Sequence, residues 1–188
     1  ELDAREDEPL LNRAIQTTLP PGSTFKIVTA AAALENGLAT SADDPVPGGP
    51  SYQLPLTDIS VENGGRDCGS GDIPFTQAME QSCNTSFLAL ADEIGVDDMQ
   101  EQAEKFGFNS EYLEDLPLQA ESRYPGNLDE PQTALSGIGQ SDVAATPLQM
   151  AMVAAGIAND GTVMKPYVVD EVRSPDLDVL DRTDPSEL

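Results

Sequence analysis

A serine and a lysine three residues apart are the first side chains in this sequence that could do chemistry together. They lie in the run Ser23-Thr24-Phe25-Lys26, and a spacing of three on a helix puts hydroxyl and amine on one face, close enough for a hydrogen bond. The chain has no histidine, so a nucleophilic serine here needs another base. A lysine desolvated among apolar neighbours can lose its proton near neutral pH. The pair is therefore a candidate nucleophile and base, with a helix cap and a surface lysine as the alternative for the tetrapeptide alone.

The flanking residues predict a helix that positions this pair. Pro21 and Gly22 favour a turn, the alanines at 30–33 favour helix, and Gly37 suits the left-handed conformation that ends one. We expect a buried helix over residues 23–35. Its free N-terminal N–H groups would favour both a neutral lysine and a nearby oxyanion.

A second polar element, Ser82-Cys83-Asn84, lies between two predicted helices. The Ser82 hydroxyl could relay a proton, and the Asn84 carboxamide could bind a substrate amide through both its donor and its acceptor. The alternative is a polar connection between helices in which Asn84 serves as a cap. The tripeptide alone does not decide between the two.

Charge and composition exclude several classes of function. The 188 residues include 34 acidic and 9 basic side chains, for a net charge of −25, which repels phosphate backbones and makes nucleic acid an improbable partner. The missing histidine excludes Ser-His-Asp chemistry and histidine-ligated zinc. No calcium-binding D-x-[DN]-x-[DN]-G loop is present, so we expect neither a metal nor another cofactor.

The acidic residues concentrate outside two weakly charged blocks, residues 9–40 and 131–169. In the second block, Thr146-Pro147 and Gln149 form a helix-start pattern in which Gln149 could bond back to the cap. We expect this helix to reach Asn159, followed by a strand or hairpin arm over 162–172. We divide the chain into a domain at 1–173 and an acidic, mobile tail at 174–188.

Three ordered motifs lie along the chain: Pro20-Pro21-Gly22-Ser23-Thr24-Phe25-Lys26, then Ser82-Cys83-Asn84-Thr85, then Ile138-Gly139-Gln140 followed by Thr146-Pro147-Leu148-Gln149. Together they resemble the transpeptidase domain of penicillin-binding proteins, particularly the monofunctional class B enzymes of actinobacteria. The first two belong to the active-site set of these enzymes and of class A β-lactamases. The resemblance implies an α/β (α+β) fold of the serine β-lactamase/transpeptidase type, here dominated by the helical lobe with few strands of the antiparallel sheet.

The resemblance also implies roles for the candidate residues. Ser23 would be the acylated nucleophile, Lys26 its proton acceptor, Ser82 the proton relay, and Asn84 the group that holds the peptide-stem amide. The implied function is a D,D-transpeptidase that crosslinks peptidoglycan at the outer face of the bacterial cytoplasmic membrane. Its implied partners are stem peptides on the lipid-linked precursor polymer, β-lactam antibiotics and other cell-wall synthesis proteins.

The chain departs from the family in one respect, because none of its three lysines begins a K-T-G motif. We therefore expect a partial domain that is inactive in isolation. Three alternatives stay open: a D,D-carboxypeptidase, a class D-like β-lactamase, and a non-catalytic penicillin sensor or scaffold.

The resemblance also bears on the pairing of the two cysteines, Cys68 and Cys83. If it places the domain outside the cytoplasmic membrane, a disulfide between them is expected to brace the loop that carries Ser82. The alternative is a free, buried thiol at Cys83.

Overall fold

The computed structural model describes residues 8–116 and 118–188 as seven α-helices and six short strands. The helices are α1 (Arg13–Gln16), α2 (Lys26–Glu35), α3 (Phe75–Glu80), α4 (Asn84–Ile94), α5 (Val96–Lys105), α6 (Glu130–Ser136) and α7 (Pro147–Ala158). The strands are β1 (Pro45–Val46), β2 (Ser51–Gln53), β3 (Ser60–Glu62), β4 (Ile73–Pro74), β5 (Glu171–Arg173) and β6 (Val179–Arg182). A single 3₁₀ turn, Gly22–Phe25, leads directly into α2.

The strands form three separate antiparallel pairs among the described residues. Strand β1 pairs with β4 with Val46 opposite Ile73, β2 pairs with β3 with Tyr52 opposite Val61, and β5 pairs with β6. The first two pairs lie in the long stretch between α2 and α3. They fold that stretch back towards the start of α4, where the candidate site lies.

Helix α2 lies at the centre of the helical part and packs against α4 and α5. Its buried side includes Val28, Ala32 and Ala33, whose small side chains allow a close approach to neighbouring helices. Just before α2, the ring of Phe25 stacks on Tyr124 with 5.9 Å between ring centroids. Aromatic pairs of this kind add about 1 kcal/mol to the burial of their area, so the start of α2 is firmly held in the core.

The predicted helices are present, with shifted ends. The helix expected over 23–35 divides into the 3₁₀ turn and α2, and the helix expected from Thr146 is α7, whose N-terminus Thr146 caps by accepting from the Gln149 N–H at 3.1 Å. The prediction that the Gln149 side chain bonds back to the cap residue is wrong. That side chain instead donates to the Phe106 carbonyl at 2.6 Å, because Thr146 N–H already donates to Ser122.

The segment 174–188, predicted as a mobile tail, has regular backbone contacts in the structure. The β5–β6 hairpin spans the predicted boundary at residue 173. Beyond it, Ser186 accepts from the Lys165 N–H, and the Leu188 N–H donates to Val163. The segment is therefore paired with residues 163–173, and the division of the chain at 173 stays a prediction.

Candidate functional site

The turn that presents Ser23 is shaped by its neighbours. Gly22 has a φ of +55°, the left-handed region that favours glycine, and the Thr24 hydroxyl donates to the Pro21 carbonyl at 2.7 Å. Gly139, from the third sequence motif, lies so close that a Cβ there would come within 2.3 Å of the Gly22 oxygen. The first and third motifs, which are more than a hundred residues apart, therefore meet at this turn.

Ser23 itself is exposed at the surface. Its hydroxyl has no hydrogen-bond partner among the residues that the structure describes, so the expected bond to Lys26 is not present. Ser23 lies in the first turn, where backbone N–H groups have no preceding carbonyl to bond. A reactant could therefore reach both its hydroxyl and its N–H.

Lys26 lies one turn further on and is almost fully buried, with 1% of its surface exposed. Its Nζ donates to three oxygens: the Ser82 carbonyl at 2.7 Å, the Ser82 Oγ at 3.0 Å and the Asn84 Oδ1 at 2.8 Å. The ring of Phe87 lies 5.5 Å from the same nitrogen. The structure thus brings together three of the four predicted polar site residues at one amine.

Burial, as the larger cause, and the positive charge of Arg66 together lower the pKa of Lys26 from its ordinary value of 10.5 to about 8. An ammonium has three N–H donors, which matches the three acceptors around Nζ. Loss of one proton leaves a lone pair on Nζ and a short path to the Ser82 hydroxyl. This lysine can therefore accept and pass on a proton near neutral pH.

The loop that carries Ser82 is held in an unusual conformation. Ser82 has a φ of +54°, which costs a residue with a side chain of order 1 kcal/mol unless its surroundings impose it. Cys83 imposes it in part, because its N–H donates to the Ala78 carbonyl and its sulfur lies 2.01 Å from that of Cys68, as a disulfide. Both cysteines are buried, so the loop between α3 and α4 is anchored from inside.

The carboxamide of Asn84 is oriented from both ends. Its Oδ1 accepts from Lys26, and its Nδ2 donates to the Glu62 carbonyl at 2.9 Å. One residue on, the Thr85 N–H donates to the buried Asn63 Oδ1 at 3.0 Å. Strand β3 and the residue after it therefore fix the start of α4.

Sequence reasoning missed Glu62, Asn63 and Arg66. No local pattern signals them, because they act on residues about 20 to 40 positions away and two of the contacts use a backbone carbonyl or a charge.

The described residues contain no group of three or more His, Cys, Asp or Glu side chains that could hold a metal ion. Nor does any described helix have the length and apolar character needed to cross a membrane.

The chain is similar to known proteins both in sequence and in structure. A family model described as "Penicillin binding protein transpeptidase domain" matches residues 2–188. The chain is 43% identical over 182 residues to "Peptidoglycan D,D-transpeptidase PbpA" of Mycolicibacterium smegmatis, covering 95% of this chain and 36% of that protein. It is also 43% identical over 172 residues to the protein of that name from Mycobacterium tuberculosis, covering 90% of this chain and 34% of that protein.

Solved structures agree with the sequence relatives. Penicillin-binding protein A from M. tuberculosis in its penicillin G acyl-enzyme complex superposes with a TM-score of 0.89 at 40% identity, covering 99% of this chain and 43% of that one. Its imipenem acyl-enzyme complex gives the same TM-score at 38% identity, with the same coverage of both chains. The predicted fold class is thereby confirmed. The chain spans about a third of the length of the curated relatives it matches.

Proposed function

Because the chain belongs to the penicillin-binding protein transpeptidase family, as its motifs predicted, we propose that it carries the acylation site of a peptidoglycan D,D-transpeptidase. The observation that carries the proposal is the convergence of the Ser82 and Asn84 oxygens on the buried Lys26 amine, one helical turn after an exposed serine. In the absence of histidine, such a lysine is the base that a nucleophilic serine requires.

The proposed first step is attack by the Ser23 Oγ on the carbonyl carbon of a D-Ala-D-Ala terminus. Lys26, as the neutral amine, accepts the hydroxyl proton, directly or through the Ser82 hydroxyl that lies 3.0 Å from Nζ. The Ser23 N–H supplies one donor to the developing oxyanion. When the C–N bond breaks, the proton passes to the departing D-Ala amine, and an ester on Ser23 remains.

The ester is then consumed by the amine of a neighbouring stem peptide, which completes the crosslink and regenerates the Ser23 hydroxyl. Asn84 holds the amide of the acyl donor through its carboxamide, which Glu62 already orients. Support for this reaction class comes from the relatives, which are named as D,D-transpeptidases and whose solved structures include β-lactam acyl-enzymes. The site of action that follows is the outer face of the cytoplasmic membrane, with peptidoglycan precursors and β-lactams as ligands.

The test is acylation of the full-length protein by a fluorescent penicillin. A β-lactam adds without a leaving group, because its ring amide opens as the serine ester forms, so the adduct mass equals protein plus intact penicillin. We expect one long-lived adduct on Ser23, lost in Ser23→Ala and retained in Ser51→Ala, which removes an exposed hydroxyl in β2. Labelling of Ser23→Ala would refute the assignment of the nucleophile.

The same experiment separates the alternatives. Sustained release of hydrolysed penicillin would indicate a β-lactamase, and release of D-Ala without crosslinking of an added amine acceptor would indicate a carboxypeptidase. A stable adduct on a protein that never crosslinks or hydrolyses peptide would indicate a sensor or scaffold.

A further inference from the structure

The segment from Glu62 to Cys68, here called the rim segment, is tied to the Ser82–Thr85 region at three points. The Glu62 carbonyl accepts from Asn84, Asn63 accepts from Thr85, and Cys68 forms a disulfide with Cys83. These ties fall on the first, second and last residues of the segment. The rim segment is therefore a fixed edge of the site, although no sequence motif marks it.

Arg66 is the cation of this edge. It is exposed, and one guanidinium nitrogen, Nη1, donates to the Asn63 carbonyl at 3.1 Å, which holds the side chain against the segment. A guanidinium has five N–H donors in a planar fork that fits a carboxylate through two parallel bonds. The donors not used by Asn63 are available to a ligand.

Arg66 has no carboxylate partner among the described residues, unlike four other cations of this acidic chain. Lys105, Lys165, Arg173 and Arg182 each contact a glutamate. Within residues 8–116 and 118–188, Arg66 contacts none, even though Glu62 and Asp67 are its neighbours in sequence. In a protein of net charge −25, a cation held at a functional edge without an acidic partner is suited to an anionic ligand.

Arg66 is also close enough to the site to act on it, because its charge disfavours the ammonium form of Lys26. An anion held by Arg66 would therefore lie within electrostatic range of the same amine. The rim segment that carries Arg66 is itself bonded to Asn84 through the Glu62 carbonyl.

We propose that Arg66 binds a carboxylate carried by the acyl donor, on the part of the peptide or β-lactam side chain that passes Asn84. The substrate class is thus an acidic acyl donor, and Arg66 is a specificity-determining residue. The inference rests on the proposed function, since it requires that Ser23 is acylated at this edge.

The experiment compares two penicillins that differ by one carboxylate. Benzylpenicillin and its α-carboxylated analogue, carbenicillin, are used to acylate the full-length protein, and the ratio of their second-order acylation rates is measured. We expect Arg66→Gln to lower the carbenicillin-to-benzylpenicillin ratio by about tenfold, which is the scale of one charge-assisted bidentate contact. Arg66→Lys, which keeps the charge but not the fork, should lower it by about threefold.

Arg123→Gln is the matched control. Arg123 is also exposed, but it lines a separate cavity with Gln100 and Asn109, so the ratio should not change. Acylation by benzylpenicillin reports in every variant that the protein is folded. An unchanged ratio in Arg66→Gln, with both penicillins reacting, would overturn the inference and leave the proposed function intact. Failure of the unaltered protein to react with either penicillin would overturn both.

Discussion

The two sides of helix α2 differ in how completely they are covered. On one side, the Lys26 amine is buried and its three acceptors, together with the ring of Phe87, surround it. On the other side, Leu34 is 48% exposed and borders a groove that no other described segment fills. The same ten-residue helix therefore has one side that is fully covered and one side that presents an exposed leucine beside an apolar groove.

The open side is a groove of about 500 Å³ between α2 and α7, here called the α2–α7 groove. It has no charged side chain. Among its larger side chains, Ile157 is 52% exposed and Met79 is 37% exposed. The lining residues are Ile27, Ala30, Ala31, Leu34, Met79, Ala154 and Ile157.

The difference separates the Lys26 environment, which the described residues cover, from the apolar side of α2, which they leave partly exposed. The Lys26 environment is built by α2, the Ser82 loop and the start of α4, so the base is assembled by contacts within these residues. An exposed apolar patch of this kind is typical of a surface that meets further protein. Three predictions test this difference between the covered and the open side of α2.

The largest effect is expected at the covered side, from Lys26→Met. Methionine keeps the length and apolar stem of lysine but removes the proton acceptor, and general base catalysis contributes about 10²- to 10⁴-fold. We expect the rate of acylation by benzylpenicillin to fall by about 10³-fold in the full-length protein. Stopped-flow measurement of adduct formation gives the rate.

The control for this substitution is Lys105→Met, which removes an exposed lysine that contacts Glu35 and Glu101. Surface ion pairs contribute about 0–1 kcal/mol, so its acylation rate should change less than about twofold. A Lys26→Met protein that keeps a cooperative unfolding transition and still reacts at the original rate would show that Lys26 is not the base.

The second prediction concerns pH. With a pKa of about 8, Lys26 is about one-tenth neutral at pH 7 and half neutral at pH 8, so acylation should speed up about fivefold between them and level off above about pH 9. Burial is the larger cause of the low pKa and Arg66 the smaller. Removing this nearby positive charge favours the ammonium, so Arg66→Gln should move the midpoint to higher pH. A flat profile from pH 6 to 9 would contradict the prediction.

The sequence predicted the parts of this site that local patterns encode. The Ser23–Lys26 spacing, the helix after it and the Ser82–Asn84 loop all depend on residues close together in the chain. The helix α6 was missed although a local signal was present, since Asp129 and Gln132 form a reciprocal capping box at its start. The spacing of three between these two residues is visible in the sequence and predicts the start of the helix.

The remaining parts depend on contacts that no spacing rule predicts. Asn63 reaches Thr85 across 22 residues, and Gly139 reaches Gly22 across more than a hundred. A hydrogen bond between the Ser23 hydroxyl and Lys26 was expected. The Lys26 amine instead donates to three acceptors on Ser82 and Asn84, which are more than fifty residues away in the chain. Such competition between partners is decided by tertiary packing, which a single sequence does not contain.

The smallest effect is expected at the open side, from Ile157→Asn. In the 188-residue chain, a polar side chain at this half-exposed position should change the free energy of unfolding by less than about 0.5 kcal/mol and should reduce binding of a hydrophobic dye. Val153→Asn is the matched control on the same helix, because Val153 is fully buried and an unpaired amide there costs about 1–3 kcal/mol beyond the lost packing. Equal costs at 153 and 157 would mean that the α2–α7 groove is closed in this chain. The same substitution in the full-length protein extends the test. A loss of more than about 1 kcal/mol in the free energy of unfolding there would mean that residues outside this chain cover the groove. A loss of less than about 0.5 kcal/mol would mean that both sides of α2 keep the contacts described above.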